Sequence, residues 1–516
     1  MSHITAQLAE QNPDELGLSD DRQRLSRREL ELVLNRASNA MRGLGLRAGR
    51  RVAVFGRNSA ENVVAYQAAL HAGLSAVPVS AHFTVDEVAY ILADSGTDVL
   101  FVGPETAAVG VEAASRAGTM RIIGWRCADL AGIESWEEWL AAASAETPPD
   151  DVPPAPMLHY TSGTTGRPKG TETPPTMFPR EETVRAYFDV LRGGRGGLPF
   201  PSPGLIVSPM NHTGPLISVR LLGAGLALVV LPRFDAEEVL ATIERCRIKN
   251  VLMVPTHFQR LLALPLEVRS RYDLSSLEQV SHTGAACPRE VKRQMIEWFG
   301  PVLVEAYGAT ESGSTNMITS EEWLRKPGSV GRTLPPFEVE VISETGDKLP
   351  PNQVGTLYFR DTSGRGIVYH NDLEKTVRVH REPGVFTLGE MGYVDEDGYV
   401  FITDRISDMI VSGGVNIYPA EIEDVLCQAP GVIDVAVIGV PNEEMGEEVK
   451  ALIIPQDPDM PPSAESLNQY CRLRLAAYKT PRSYEFVDDI GRNPMGKINK
   501  KALRLPYWPT DRTIGG

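Results

Sequence analysis

Cysteine is scarce in this sequence and follows no pattern. The cysteines form neither a CxxC pair nor a histidine-containing cluster at metal-binding spacing. The five of them are Cys127, Cys246, Cys287, Cys427 and Cys471. An odd number of scattered cysteines argues against a disulfide framework and against a zinc site. We therefore expect reduced thiols, as is usual in the cytoplasm.

Long apolar runs and an excess of positive charge are also missing. No segment approaches the run of about 18 apolar residues that a membrane-spanning helix needs, and residues 1–21 lack the apolar core of a signal peptide. The 51 lysines and arginines stand against 67 aspartates and glutamates, giving a net charge of −16. This balance argues against nucleic-acid or anionic-membrane binding. We expect an untargeted, soluble, cytoplasmic protein in which an anionic ligand needs local positive charge.

What the sequence does contain is an alternation of strand and helix patterns. Capping boxes formed by Ser26 with Glu29 and by Thr84 with Glu87 predict two helix starts. Strands are predicted at 51–55, 75–79, 98–102, 205–208, 227–231 and 250–255, with helices between them. Such alternation is typical of parallel sheets with helices on both faces and with sites at the carboxyl ends of strands. With 516 residues the chain is too long for one core, so we expect an α/β enzyme of two or more domains.

The rest of the chain predicts two smaller units and a linker. Residues 148–156 are rich in proline and aspartate and are expected to be extended. Strands at 355–359, 385–387 and 399–402 predict a small β unit. Strands at 432–440, 449–454 and 484–487, with helices at 420–428 and 463–475, predict a compact α+β domain at the end of the chain.

Residues 160–170, YTSGTTGRPKG, surround one lysine with glycines and hydroxylated side chains. Glycines let backbone N–H groups approach an anion, hydroxyls add donors, and Lys169 supplies a point charge, so this stretch predicts a phosphate-binding loop. It is not a Walker A loop, because only two residues separate Gly163 from Gly166 and Pro168 precedes the lysine. The alternative is a flexible surface loop of the same composition.

This run resembles the signature of the adenylate-forming superfamily, which includes acyl-CoA synthetases, adenylation domains of peptide synthetases and luciferases. The resemblance extends from Ser26 to Lys501, with the motifs in family order. It implies a large N-terminal domain (1–406) of two βα-layered sheets plus a small β unit, followed by a mobile α+β lid domain (407–516). It also implies phosphate contacts from Thr161, Ser162, Gly163, Thr164, Thr165, Gly166 and Lys169.

Two further motifs match the family's nucleotide site. Residues 307–311, YGATE, follow the strand predicted at 302–305. The resemblance implies that Tyr307 stacks on adenine with Gly308 beside it, that Thr310 bonds the α-phosphate and that Glu311 holds Mg²⁺. The alternative for Glu311 is a solvated loop acid. The small residues Gly284, Ala285 and Ala286 follow a predicted strand and match the loop that contacts adenine and the acyl group.

The sequence departs from the family at two positions. Glu390 stands where the family has an aspartate that holds both ribose hydroxyls, and a displacement of about 1 Å can cost about 10²-fold in rate. Arg405 matches the family's second ribose contact, with a surface ion pair to Asp408 as the alternative. Ser407 stands at the hinge of the lid, where aspartate or lysine is usual.

The remaining matches concern the acid, CoA and the lid. His212 resembles the histidine at the family's acyl pocket, with an exposed turn histidine as the alternative; Met210 and Asn211 beside it offer no carboxylate for a substrate amine. Ser412, Gly413 and Gly414 match the loop that lines the pantetheine tunnel. Lys497 matches the adenylation lysine, although a loop lysine is most often only solvated.

The resemblance implies an acyl-CoA synthetase that uses ATP, CoA and Mg²⁺, releases AMP, and acts on a carboxylic acid, with a bulky hydrophobic acid suggested by the small residues at 284–286. One alternative is an enzyme that only thioesterifies an acyl-adenylate delivered by a separate adenylating enzyme, because of Glu390 and Ser407. Another is a non-catalytic nucleotide or acyl-CoA sensor. Whether the acceptor is CoA or a carrier protein, and whether the protein is a homodimer, are left open by the sequence.

Overall fold

The computed structural model describes residues 3–119, 121–127, 129–161, 168–193 and 200–508. Both capping boxes are confirmed. Ser26 N donates to Glu29 Oε2 (2.8 Å) at the start of helix Arg27–Arg42, and Thr84 N donates to Glu87 Oε2 (2.8 Å) at the start of helix Val85–Ser95. Within these described ranges, no helix is both long and apolar enough to cross a membrane.

The first sheet is entirely parallel among the described residues, as the alternation predicts. Its strands lie in the spatial order Ser75–Val79, Arg51–Phe55, Thr97–Val102, Arg121–Gly124 and Glu134–Ser135. The helices of this region are Ala60–His71, Val85–Ser95, Ala107–Ala117 and Trp136–Ala141. No helix or strand covers residues 148–156, as the composition of this segment predicts.

The second sheet is parallel in one half and antiparallel in the other. Its parallel strands are Leu16–Ser19, Leu228–Val230, Gly204–Ile206, Asn250–Met253, Gln279–His282 and Leu303–Ala309. Helices His3–Gln11, Arg27–Arg42, Val184–Gly193, Thr213–Leu222, Ala236–Cys246, Pro255–Leu262, Leu266–Arg269 and Arg289–Phe299 accompany it. Side chains of helices Ala60–His71 and Thr213–Leu222 belong to one continuous apolar core that joins the two sheets.

The predicted small β unit is present and has an apolar core of its own, and its strands are hydrogen-bonded to the edge of the second sheet. The join is made by strand Ser329–Thr333, which pairs with Gly313–Thr319 on one side and with Val400–Arg405 on the other. The further strands are Phe337–Ile342, Gly355–Asp361, His380–Glu382, Val385–Phe386 and Glu390–Val394, with helices Ser320–Arg325 and Leu373–Arg378 beside them. The edge strand Arg24–Ser26 pairs with Leu16–Ser19.

The C-terminal unit has the predicted α+β composition and a core of its own. Its strands are Ile410–Ser412, Val415–Ile417, Val432–Asn442, Gly446–Pro455 and Ser483–Phe486, and its helices are Pro419–Leu426, Ala464–Arg472 and Lys500–Arg504, with a 3₁₀ turn at Ala477–Lys479. The structure is therefore a large N-terminal α/β domain with a small C-terminal domain. The exact boundary at Ser407 stays a prediction.

Candidate functional site

The predicted phosphate-binding loop connects the strands of a β-hairpin. Strands Leu158–Thr161 and Lys169–Glu172 pair antiparallel, with Thr161 opposite Lys169. Ser162, Gly163, Thr164, Thr165 and Gly166 lie outside the described residues. The hairpin therefore places Thr161 and Lys169, the two ends of the loop that the structure describes, side by side.

The YGATE motif lies at a hairpin turn rather than after a strand. Strand Leu303–Ala309 extends beyond the predicted end at residue 305 and pairs antiparallel with Gly313–Thr319, so Tyr307 is part of the strand. Gly308 pairs with Ser314 across the hairpin, and a Cβ on Gly308 would overlap the backbone of Gly313. Only glycine fits at position 308. The close backbone of Gly313 explains this requirement better than a need for a ligand to approach the main chain.

Thr310 and Glu311 form hydrogen bonds with other segments of the large domain. Thr213 Oγ1 donates to Thr310 Oγ1 (3.2 Å), and Thr161 Oγ1 donates to Glu311 Oε1 (3.4 Å). Glu311 is half-buried and contacts the edge of the phosphate-binding loop, so it is not a loop acid directed into bulk solvent. The hairpin turn thus joins the motif at 307–311 to the hairpin that carries Lys169.

Glu390 accepts a hydrogen bond from Tyr307, the predicted adenine-stacking residue, and forms an ion pair with Arg405, the predicted second ribose contact. Tyr307 Oη donates to Glu390 Oε2 (2.9 Å), and Arg405 Nε lies 3.8 Å from Glu390 Oε1. Glu390 and Arg405 are direct partners in the ladder between their strands, which keeps the two side chains together. Burial raises the pKa of Glu390, while Arg405 and the Tyr307 hydroxyl act in the opposite direction. Arg405 is therefore not paired with Asp408, whose ion-pair partner is Arg504 (3.6 Å).

The loop that carries Lys497 lies against the large domain. Met495 is buried, and its Cε would be 3.5 Å from a Cβ on Gly284, a residue with φ +94°. Gly496 packs against Thr256, whose Cγ2 would be 3.0 Å from an added Cβ. These contacts hold the loop at the cleft between the two domains.

Lys497 projects into this cleft among charged residues of the large domain. Desolvation by the surrounding walls lowers the pKa of Lys497, with Arg405 adding to the effect and Glu311 and Glu390 opposing it. Lys497 nevertheless remains exposed to solvent. The structure thus brings Lys497, Glu311, Glu390 and Arg405 together from segments that are far apart in the sequence.

His212 is half-buried beside the same cleft, so the alternative of an exposed turn histidine does not hold. It is the residue immediately before helix Thr213–Leu222. Burial lowers the pKa of His212 to about 4, with a smaller contribution from Lys497. The imidazole is therefore neutral at physiological pH.

Ser412 lines a cavity of about 380 Å³ in the small domain. Gly413 and Gly414, with φ of +57° and +76°, form the turn between strands Ile410–Ser412 and Val415–Ile417 at its edge. Arg472 and Arg482 are among the other lining residues, so the cavity wall carries positive charge.

Ala285 and Ala286 follow strand Gln279–His282, as predicted, and are partly exposed. Ser407 lies in a tight turn in which Asp408 N donates to Arg405 O (3.0 Å). Asp404, which precedes this turn, is bonded to a residue beyond it. Its Oδ2 accepts from Ala420 N (2.8 Å) at the start of helix Pro419–Leu426.

Sequence reasoning missed two residues of the site, Tyr369 and Lys375. Tyr369 lies near Glu311, and burial together with that carboxylate raises the pKa of the phenol. Lys375 lies next to Lys169, and burial together with this neighbouring amine lowers the pKa of Lys375 to about 8. The only local signal was Asp372, whose Oδ1 caps the helix at Lys375 N (2.9 Å), and it predicts a helix start rather than a site.

Protein side chains alone do not build a metal site in the part of the chain that the structure describes, where no cluster of three or more potential ligands occurs. Glu311 fits a different arrangement. Mg²⁺ is usually bound by one or two carboxylates together with phosphate oxygens and water, so a single carboxylate near lysines is a sufficient protein contribution.

Comparison with known proteins agrees with this geometry. The family model described as AMP-binding enzyme matches residues 5–364, and the model described as AMP-binding enzyme C-terminal domain matches residues 421–497. The long-chain-fatty-acid–CoA ligase FadD13 of Mycobacterium tuberculosis is 33% identical over 504 residues, which cover 94% of each chain.

Another relative from M. tuberculosis is a 3-[(3aS,4S,7aS)-7a-methyl-1,5-dioxo-octahydro-1H-inden-4-yl]propanoyl:CoA ligase, 32% identical over 521 residues, with 96% of this chain and 97% of that protein covered. Among solved structures, ATP-bound MatB from Rhodopseudomonas palustris superposes with a TM-score of 0.80 at 29% identity, covering 98% of this chain and 99% of the other.

Proposed function

The chain belongs to the AMP-binding enzymes and, within them, to the acyl-CoA ligases, and on that premise we propose that it joins a carboxylic acid to CoA through an acyl-adenylate. The acid attacks the α-phosphate of ATP and releases pyrophosphate. The CoA thiol then attacks the acyl carbon and releases AMP. The position of Lys497, a small-domain residue that lies within electrostatic range of Arg405, Glu311 and Glu390, carries this proposal.

The first step must bring two anions together, a carboxylate and a polyphosphate. We assign Lys497 and Thr310 to the charge that develops at the α-phosphate, and Lys169 to the phosphate-binding loop whose hairpin carries it. Mg²⁺, held by Glu311 and phosphate oxygens, would neutralise further charge. Neutralisation and alignment of these charges are the main catalytic contributions expected for phosphoryl chemistry of this kind.

Glu390 is suited to the ribose although aspartate is usual in the family. The carboxylate of Glu390 accepts a hydrogen bond from the Tyr307 hydroxyl and lies near Arg405. The glutamate side chain is longer than that of aspartate, but these partners restrain the position of its carboxylate. An ionised carboxylate can accept from both ribose hydroxyls with either oxygen, whereas protonation turns one of its acceptor sites into a donor. These contacts support a retained adenylation step and speak against an enzyme that only thioesterifies a supplied adenylate.

The second step needs CoA at the same acyl-adenylate. We place its pantetheine arm along Ser412, Gly413 and Gly414, beside the cavity with the positively charged wall. Rotation about Ser407 would withdraw Lys497 and bring this loop to the cleft. The turn at Ser407 lies between the last strand of the large domain and the first strand of the small domain, where such a rotation can occur.

The acid is proposed to be hydrophobic and bulky. His212 is neutral, and the small residues Ala285 and Ala286 are accessible to solvent. The names of the two relatives describe a long-chain fatty acid and a bicyclic propanoic acid, both of which are consistent with an apolar pocket. Which of these shapes the pocket accepts is a matter for a substrate panel.

The experiment that tests the proposal measures the two half-reactions separately. Exchange of labelled pyrophosphate into ATP is followed with a panel of fatty, aromatic and bicyclic carboxylic acids, and CoA-ester formation is followed from the corresponding synthetic adenylates. Wild-type enzyme should perform both with the same acid. Lys497→Ala should lose about 10²-fold or more of the exchange while retaining thioester formation from the adenylate.

Lys501→Ala is the matched control, since Lys501 is an exposed lysine on the following helix. CoA-ester formation without any acid-dependent exchange would instead establish the thioesterification-only enzyme. Failure of wild-type enzyme in both assays with every acid would contradict the proposed function, and holo carrier protein in place of CoA tests the acceptor.

A further inference from the structure

A segment far along the chain runs directly beside strand Lys169–Glu172. His370 N donates to Gly170 O (2.8 Å), and Thr171 Oγ1 donates to Val368 O (3.1 Å). A Cβ on Gly170 would lie 3.0 Å from His370 Cβ, so the two segments are in close contact. These bonds fix the position of residues 368–370 relative to Lys169.

The same segment leads into the short helix Leu373–Arg378 that carries Lys375. Tyr369 N donates to Thr376 Oγ1 (3.0 Å), which ties the segment to the helix. The ammonium group of Lys375 lies 3.6 Å from the centroid of the Tyr369 ring, a cation–π contact that restrains its direction. Lys375 is half-buried and held by this contact rather than extended freely into solvent.

The result is a pair of neighbouring amines, Lys169 and Lys375, beside Glu311. Two ammonium groups at short range repel each other, and the repulsion is strong where water is partly excluded. The nearest carboxylates offer incomplete compensation, because Asp372 Oδ1 accepts from a helix N–H and Glu311 is shared with Thr161 and Tyr369. An anion with several charged oxygens would relieve this repulsion.

We propose that Lys375 is a second polyphosphate-binding lysine, which together with Lys169 holds the β- and γ-phosphates of ATP and the pyrophosphate that leaves. The inference rests on the proposed function, since it assigns the polyphosphate to the hairpin that carries Lys169. Lys375 lies outside the glycine-rich stretch 160–170, about 200 positions away in the sequence. It supplies part of the local positive charge that an anionic nucleotide needs on a chain with a net charge of −16.

The two half-reactions test this assignment, because only adenylation and its reversal involve pyrophosphate. Lys375→Gln should raise the KM for pyrophosphate in the exchange reaction by about 10- to 100-fold, the range for loss of a charged hydrogen bond. Lys375→Arg should recover most of this loss. Thioester formation from a synthetic adenylate and CoA should be unchanged in both variants.

Arg378→Gln is the control, because Arg378 is an exposed cation on the same helix, paired with Glu374. An unchanged KM for pyrophosphate in Lys375→Gln would overturn the inference. So would equal losses in exchange and in thioester formation, which would show a structural role.

A direct measurement separates this inference from the proposed function. Calorimetric titration of wild-type and Lys375→Gln enzyme with magnesium pyrophosphate requires no acid and no turnover. Weaker binding by the variant supports the inference even if no acid in the panel is a substrate. Equal binding overturns it even if the wild-type enzyme proves to be an acyl-CoA synthetase.

Discussion

The hydroxyl of Tyr307 donates to the carboxylate of Glu390 at 2.9 Å and thereby links the predicted adenine contact to the predicted ribose contact. The two residues lie on different strands, Leu303–Ala309 and Glu390–Val394, which belong to the same sheet. A glutamate reaches this hydroxyl with its longer side chain, and an aspartate at the same backbone position would be one methylene shorter.

We expect Glu390→Asp to impair the enzyme, although aspartate is the residue usual in the family. The shorter carboxylate loses the bond from Tyr307, and misplacement by about 1 Å can cost about 10²-fold in rate. The measurement is kcat/KM for ATP in pyrophosphate exchange, in a double-mutant cycle with Tyr307→Phe. The cycle should show a smaller effect of Glu390→Asp in the Tyr307→Phe background; full additivity would contradict a role for the hydrogen bond.

ATP binding should weaken as the pH is lowered, and it should do so at a higher pH than if Glu390 had the ordinary pKa of a glutamate. Burial raises the pKa of Glu390, and protonation removes an acceptor for the ribose hydroxyls. The KM for ATP is measured between pH 5 and pH 8. As the pH is lowered, this KM should begin to rise at a pH above the usual glutamate pKa of about 4.3. Because the Tyr307 hydroxyl lowers the pKa of Glu390, Tyr307→Phe should move this rise to still higher pH. A shift in the opposite direction would refute the assignment.

Gly308→Ala should destabilise the large domain and abolish nucleotide binding. The added methyl group would overlap the backbone of Gly313 across the hairpin, and this backbone can move only by breaking strand pairing. Overpacking in well-packed regions costs about 1–3 kcal/mol, so a lower thermal midpoint is expected. Gly193→Ala provides the control, since its methyl group would meet nothing within 4 Å; equal midpoints for the two variants would argue against the overlap.

Met495→Ala should slow adenylation by weakening the contact of the Lys497 loop with the large domain. The side chain of Met495 is buried against Gly284, and truncation of a buried methionine removes about 2–5 kcal/mol of packing. Pyrophosphate exchange should fall, while thioester formation from the adenylate should be retained, because the proposed rotation about Ser407 moves the Lys497 loop away before that step. Met460→Ala, a change at an exposed methionine of the same domain (75% exposed), should affect neither reaction.

Local signals in the sequence predicted the helices well and the strand partners less well. The starts of helices Arg27–Arg42 and Val85–Ser95 follow from capping boxes, which are contained in a few consecutive residues. The pairing of Ser329–Thr333 with Val400–Arg405 depends on tertiary structure, and no local pattern indicates it. For this reason the sequence predicted the small β unit but not its connection to the second sheet.

The site shows the same division. Motifs locate Lys169, Glu311 and Lys497 because each lies in a recognisable run of residues. Lys375 was missed because its place beside Lys169 results from contacts between the 368–370 segment and the hairpin strand. The consequence of glutamate at position 390 was also hidden, since it depends on a hydroxyl on another strand.

The contact of Met495 with Gly284 affects how the small domain docks on the large domain. The side chain of Met495 occupies the space beside Gly284, where a larger residue would have a side chain. Part of the docking therefore depends on shape and apolar contact rather than on attraction between charges. Such contact is little screened by ions. Closure of the lid should therefore tolerate high ionic strength better than ATP binding does, and salt should separate the two events.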